Sequence, residues 1–139
     1  MTGVIGRYRM DPAKLRKIGL TIWVQMEPIP TSGVSSAPPI CVGAILDTGS
    51  EVSGVNPKTA ERLADAKRTK RKIWTPTHSL RDEDALLCKI TFEDGASRTF
   101  DFSIIKELEP YEVLIGRDLM SEMKLEVNFK TGDWSLSWA

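Results

Sequence analysis

Apolar residues in this chain recur at every second position, in runs of a few residues broken by Gly, Pro, Asn and Asp, and that rhythm restricts it to short strands. Residues 18–26, IGLTIWVQM, alternate in this way and are rich in β-formers. Residues 40–46, ICVGAIL, read as a buried strand, and shorter strands follow at 52–55, 86–92, 99–105 and 113–115. Asp94-Gly95 supplies a hairpin turn between the 86–92 and 99–105 strands. LEVNF and WSLSW, joined through Lys130-Thr131-Gly132-Asp133, read as a closing hairpin. Residues 27–39, EPIPTSGVSSAPP, are a Pro/Ser/Gly loop between two strands. Helical signals are brief. Asn56 is a good N-cap, Pro57 presets the first helical dihedral, and Ala60, Leu63 and Ala64 then share a face. RDLMSEM is a second short helix. About eight short strands with one or two short helices predict the all-β class, as a small closed barrel.

The 139 residues suit a single domain spanning 1–139, with 1–17 read as an N-terminal extension and a candidate flexible segment. That length buries a core without disulfides or metals. The formal net charge is zero, so nothing global points to nucleic acid or an anionic membrane. Cys41 and Cys88 make neither a disulfide framework nor a metal knuckle, and whether they pair with each other is left open. With His78 as the one histidine, zinc has almost no ligand set, and no metal or cofactor is expected. No apolar run approaches the roughly 18 residues that span a bilayer. The N-terminal MTGVIGRYRMDPAKLRK lacks an apolar signal-peptide core, so the chain is read as cytoplasmic or as excised from a longer precursor. The basic cluster KRTKRK, residues 67–72, has no interleaved aromatics and is read as a solvated turn after a helix.

Chemistry concentrates at residues 44–50, AILDTGS. A buried strand delivers Asp47 to a turn, where a carboxylate that activates water must be held, desolvated yet reachable. Gly49 admits close backbone approach, and Thr48 and Ser50 bring hydroxyls that can fix the loop. Further along, residues 111–120 read YEVLIGRDLM: two apolar residues ahead of Gly116, then Arg-Asp-Leu.

These two motifs, in this order, resemble the retroviral-type (retropepsin) aspartic proteases and their cellular and bacterial relatives. The resemblance covers roughly residues 18–136 and implies a retropepsin-like barrel in which the apolar-apolar-Gly strand crosses behind the D-T-G loop, with a helix packed beneath. It implies Asp47 as the catalytic carboxylate, supported by Thr48, Gly49 and Ser50. Thr48 would tie two D-T-G loops across a dimer axis, and the Gly49 carbonyl would contact bound peptide. Ile115 and Gly116 belong to the second motif, and Asp118 to the helix start. Arg117 would form an ion pair with Glu51 in the same chain.

One D-T-G per chain, against chemistry that needs two carboxylates at one water, implies a homodimer with its site on the twofold axis. The function implied is an aspartic endopeptidase acting on peptide or protein substrates. The alternative is a catalytically silent protease-fold module that dimerises or binds peptide. The substrate-covering flap would lie near residues 75–84, TPTHSLRDED, with Thr77, His78 and Ser79 as its substrate-binding residues. This stretch has no glycine and carries Pro76, unlike the Gly-rich flaps of the family. Trp134 and Trp138 lie two strand periods apart, share a face and are candidates for core or dimer contact.

Overall fold

The computed structural model describes residues 3–34, 37–74, 77 and 79–139, and among these the alternating segments form ten strands and three short helices. In chain order they are β1 (Val4–Arg9), α1 (Pro12–Ile18), β2 (Leu20–Pro28), β3 (Ile40–Leu46), β4 (Gly54–Val55), α2 (Pro57–Arg62), β5 (Arg68–Trp74) and β6 (Leu80–Thr91). After these come β7 (Ser97–Ile104), a 3-10 turn at Lys106–Leu108, β8 (Val113–Ile115), α3 (Arg117–Met120), β9 (Met123–Val127) and β10 (Asp133–Trp138).

Six strands close into a barrel in the order β2-β3-β8-β4-β7-β6, with β6 returning to β2. Closure hides the sheet edges that an open sheet of this length would expose. The alternation read from sequence is what fills it. Leu20, Ile22, Val24 and Met26 of β2 point inward, as do Val42, Ala44 and Leu46 of β3. Leu86, Cys88 and Ile90 of β6 meet them, together with Phe102, Val55, Val113 and Ile115. Each large side chain so buried contributes roughly 1.5–3 kcal/mol.

A second sheet, β1-β10-β9, packs Ile5, Trp134 and Leu136 onto the same core. The 1–17 segment therefore contributes β1, paired antiparallel to β10 from Val4↔Ser137 to Arg9↔Asp133. It also contributes α1, a helix beyond the sequence expectation. Asp11 caps α1 by accepting from Ala13 N at 2.9 Å and Lys14 N at 3.2 Å, Pro12 opens it, and Gly19 at φ 80° ends it. Leu15 anchors it in the core at 1% exposure. Trp134 is core as well, stacked on Tyr8 at 4.2 Å, while Trp138 meets Phe92 edge-on at 5.3 Å and carries Arg98 over its ring at 4.3 Å. Both tryptophans are thus engaged inside the chain.

β5 is the second departure. The basic cluster is a strand, not a turn: Lys70 and Lys72 point outward to Asp84 and Asp82 across the β5–β6 ladder, at 3.1 and 3.8 Å. Opposite charges facing each other across two strands offset the low β-propensity of lysine. The upper edge of β6 is shared, with β5 pairing from Leu80 to Leu86 and β2 from Cys88 to Thr91. On its other edge β7 reaches only as far as Ala85. From Lys70 and Asp84 outward, β5 and β6 are thus a two-stranded arm without a third strand among the described residues.

Candidate active site

The loop between β3 and β4 carries Asp47, and β8 lies between those two strands. β8 pairs parallel to β3 (Ala44↔Val113, Ile45↔Leu114, Leu46↔Ile115) and antiparallel to β4 (Gly54↔Leu114, Val55↔Val113). The crossing that the second motif implied is therefore present, and it fixes the loop from behind. Asp47 N donates to Ile115 O at 2.9 Å at the end of the ladder. Arg117 N then donates to Ser50 O at 2.8 Å, and Asp118 N to Glu51 O at 3.2 Å. These are amides of the first turn of α3, which a helix leaves without intrahelical acceptors, and the Asp47 loop supplies the acceptors.

Within the loop, Ser50 N donates to Asp47 O at 3.2 Å, closing a tight turn. Gly49 N donates to Asp47 Oδ1 at 2.9 Å, and a Cβ at Gly49 would stand 3.1 Å from that same oxygen. Asp47 is half-buried, and Thr48 and Gly49 are exposed. Ser50 Oγ donates to Val52 O at 2.8 Å. The result is a carboxylate oriented by backbone at one oxygen and open to solvent at the loop's outer face. Among the described residues, the Thr48 hydroxyl makes no hydrogen bond within the chain, and no group of three His, Cys, Asp or Glu side chains is placed to hold a metal ion.

The expected Arg117–Glu51 ion pair does not form. Arg117 Nη1 donates instead to Thr48 O at 2.9 Å, and Glu51 stands exposed. The backbone carbonyl of a tight turn is a fixed acceptor, whereas an exposed carboxylate gains only about 0–1 kcal/mol from a pair. Arg117 therefore still braces the loop, through its backbone.

A part-buried charge pair lies one residue on: it joins Asp118, expected only as the helix start, to Arg71 of the basic cluster. Asp118 Oδ2 accepts from Arg71 Nη2 at 2.9 Å, with side chains 14% and 18% exposed. Asp118 also accepts from Ser53 N at 2.9 Å, Ser53 Oγ at 2.5 Å and Leu119 N at 2.7 Å. Ser53 is fully buried, and its hydroxyl in turn accepts from Gly116 N at 2.9 Å. The one sequence signal for Arg71 was its place in Thr69-Lys70-Arg71-Lys72-Ile73, where period two puts it on the inward face with Thr69 and Ile73.

Of the flap residues, the hydroxyls of Thr77 and Ser79 lie 3.3 Å apart beyond the end of the β5–β6 arm, and His78 lies outside the described residues. Trp74 and Leu80, paired at the arm's end, are exposed large apolar side chains. Cys41 is exposed and Cys88 buried, and both are free. Burial pushes the Cys88 thiol up to about 12, with Asp101 adding to the effect, so it is inert as a nucleophile. No helix among the described residues is long and apolar enough to cross a membrane.

No family model matches the chain, and no curated protein matches it in sequence. Among solved structures it is similar to the retroviral protease-like domain of Ddi1 from Leishmania major, at 18% identity over 79% of each chain, with a TM-score of 0.44.

Proposed function

We propose that the chain is one half of a homodimeric, retropepsin-like aspartic endopeptidase in which two Asp47 carboxylates share one water. The observation that carries this reading is the mounting of Asp47. Its amide is held by Ile115 O and its Oδ1 by Gly49 N, in a loop locked by three further backbone bonds. Asp47 Oδ1 closes its own turn through Gly49 N, while Asp47 Oδ2 accepts no hydrogen bond among the described residues, which leaves that oxygen of a half-buried carboxylate for a water.

One carboxylate cannot both take a proton from water and deliver one to the substrate. Two brought together across a twofold axis can, because like charges so close cannot both ionise and the pair retains one proton. The ionised member accepts a proton from the water as it attacks the peptide carbonyl. The protonated member donates to the carbonyl oxygen. Collapse of the tetrahedral intermediate then expels the amine, which takes the proton that the first carboxylate had accepted, while the second regains its own from the intermediate's hydroxyl; no acyl-enzyme forms. In this reading exposed Thr48, beside Asp47, would meet its counterpart in the second copy. The β5–β6 arm is the substrate-covering element, which would swing over bound peptide.

The test is incubation of the purified chain with casein from acidic to neutral pH, with and without a transition-state inhibitor of aspartic proteases. Inhibitor-sensitive cleavage that Asp47→Asn abolishes supports the reading. A folded, dimeric protein that cuts nothing under any of these conditions identifies a silent dimerisation or peptide-binding module instead.

A further inference from the structure

The arm and the Asp47 loop are far apart in sequence, yet one guanidinium joins them. Arg71 lies on the arm, opposite Glu83, where β6 no longer pairs with β7. Its side chain turns back toward the barrel and reaches three groups: Asp118 Oδ2 at 2.9 Å, Asp101 O at 2.9 Å and Ser53 O at 3.4 Å. Phe100 lies beneath it at 5.5 Å. Two residue pairs closer to the barrel, Thr69 Oγ1 donates to Asp101 Oδ1 at 2.9 Å. The arm's own ion pairs run between its two strands or within one of them, and none reaches the barrel (Lys70–Asp84, Lys72–Asp82, Arg81–Glu83). Among the described residues, Arg71 is therefore the arm's one charged tie to the domain.

What Arg71 holds is the underside of the candidate site. Asp118 is the second residue of α3, and its backbone amide already binds Glu51 O in the Asp47 loop. Its carboxylate binds both the amide and the hydroxyl of Ser53, at the other end of that loop. The Ser53 hydroxyl receives Gly116 N, and the neighbouring Ile115 O holds Asp47 N. A continuous path of charge-assisted and backbone bonds thus runs from the arm to Asp47. A planar guanidinium spreads its donors over separate nitrogens in fixed directions, so Nη2 takes the carboxylate while Nη1 takes the two carbonyls; the three donors of an ammonium radiate from one atom and do not span the same acceptors.

We propose that Arg71 is a positioning residue that locks the β5–β6 arm to the Asp47 loop through Asp118 and Ser53, so that the arm's base and the catalytic loop keep one fixed geometry. This rests on the reading of Asp47 as catalytic. Arg71 makes no hydrogen bond to Asp47; it acts through Asp118.

The experiment compares wild type with Arg71→Met, Arg71→Lys, Asp118→Asn and the Arg71→Met/Asp118→Asn double variant. Hydrogen exchange is read at the amides of Ser53, Gly116 and Val42, alongside steady-state cleavage of a fluorogenic peptide taken from a casein site that wild type cuts. Arg71→Met is expected to lower protection at Ser53 and Gly116 by about tenfold or more while Val42, in the barrel wall, is unchanged. It is expected to lower kcat by about tenfold or more with KM within about threefold, because misplacing a reacting group costs rate more than binding. Arg71→Lys should recover less than half of either loss, and the double variant should be no worse than Arg71→Met. Equal loss of protection at all three amides makes Arg71 a general stability residue and overturns the proposal. So does unchanged protection at Ser53 and Gly116 in Arg71→Met, or full recovery in Arg71→Lys. If wild type cuts no peptide, the protease reading fails, while the exchange data still decide the tie.

Discussion

Gly116→Ala tests the crossing of β8 behind the Asp47 loop most directly. A Cβ at Gly116 would stand 2.5 Å from Val52 O, 2.7 Å from Val52 C and 2.9 Å from Ser50 O. All three atoms are backbone, so no side chain can rotate away. Ordinary contact needs about 3.5 Å or more, so β8 and the loop must separate by roughly 0.5–1 Å. Overpacking of this kind costs about 1–3 kcal/mol. The separation also stretches Asp47 N to Ile115 O, Arg117 N to Ser50 O and Gly116 N to Ser53 Oγ, each a bond worth about 1 kcal/mol net. Losing part of these brings the expected destabilisation to roughly 2–5 kcal/mol, a large share of the 5–15 kcal/mol typical of a domain. Urea unfolding followed by tryptophan fluorescence measures it. Gly95→Ala is the control: its φ is 88° with nothing within 4 Å of the added Cβ, so only backbone strain of about 1–2 kcal/mol applies. If Gly116→Ala costs less than Gly95→Ala, or under about 0.5 kcal/mol, the backbone of the loop does not lie against β8 and the account of how Asp47 is held is wrong.

Four further outcomes are expected. Asp47→Asn should lower peptide cleavage by about a hundredfold or more with the thermal midpoint within a few degrees of wild type, since the amide keeps the size but neither donates nor accepts a proton as an acid or base; cleavage at the wild-type rate would place the activity elsewhere. Sedimentation velocity should show a dimer at working concentration, and a monomer with full activity would break the two-carboxylate mechanism. Glu51→Gln should change stability by no more than about 0.5 kcal/mol, because Glu51 is exposed and Arg117 is bound to Thr48 O; a loss of several kcal/mol would restore the ion pair that the structure lacks. For Cys88, burial raises the folded-state thiol from 9.0 to about 12, so its contribution to stability is complete below pH 9 and lost as pH rises toward 12. Between those limits stability should fall by roughly 1.4 kcal/mol per pH unit more steeply in wild type than in Cys88→Ala, and parallel curves for the two proteins would contradict it.

Much of the architecture was legible because the signals are local. Period two in IGLTIWVQM and ICVGAIL requires one inward face per strand, and β2 and β3 have it. Asn56-Pro57 starts α2 where a cap and a preset dihedral coincide: Asn56 Oδ1 accepts from Thr59 N at 2.7 Å. The strand that ends at Asp47 and the Ile115-Gly116-Arg117 step were each visible as motifs, and so was the expectation that one crosses behind the other. Other local signals were present but passed over. Asp11-Pro12 and Gly19 bracket α1 as clearly as Asn56-Pro57 opens α2. β5 was hidden because its exposed lysines read as a solvated turn; the ladder with β6 and the inward ties of Thr69 and Arg71 hold it as a strand, and the exposed pairs with Asp84 and Asp82 add little.

Long-range partners were beyond the sequence. Arg71 and Asp118 are 47 residues apart, and Ser53 and Asp118 are 65 apart. Charge alone offers Arg71 every acid on the surface. Which one it takes depends on β5 running beside β6 while α3 begins under the loop after Asp47. Arg117 shows the same limit in reverse: the motif named an acid for it, and the fold gave it the Thr48 carbonyl because Glu51 points to solvent. The sequence thus determined most of the barrel strands, though not β1 or β5, together with which aspartate sits at a strand end and where the two motifs fall. Tertiary structure decided which charges are buried together, because desolvation, and with it the strength of a pair, depends on what packs around it.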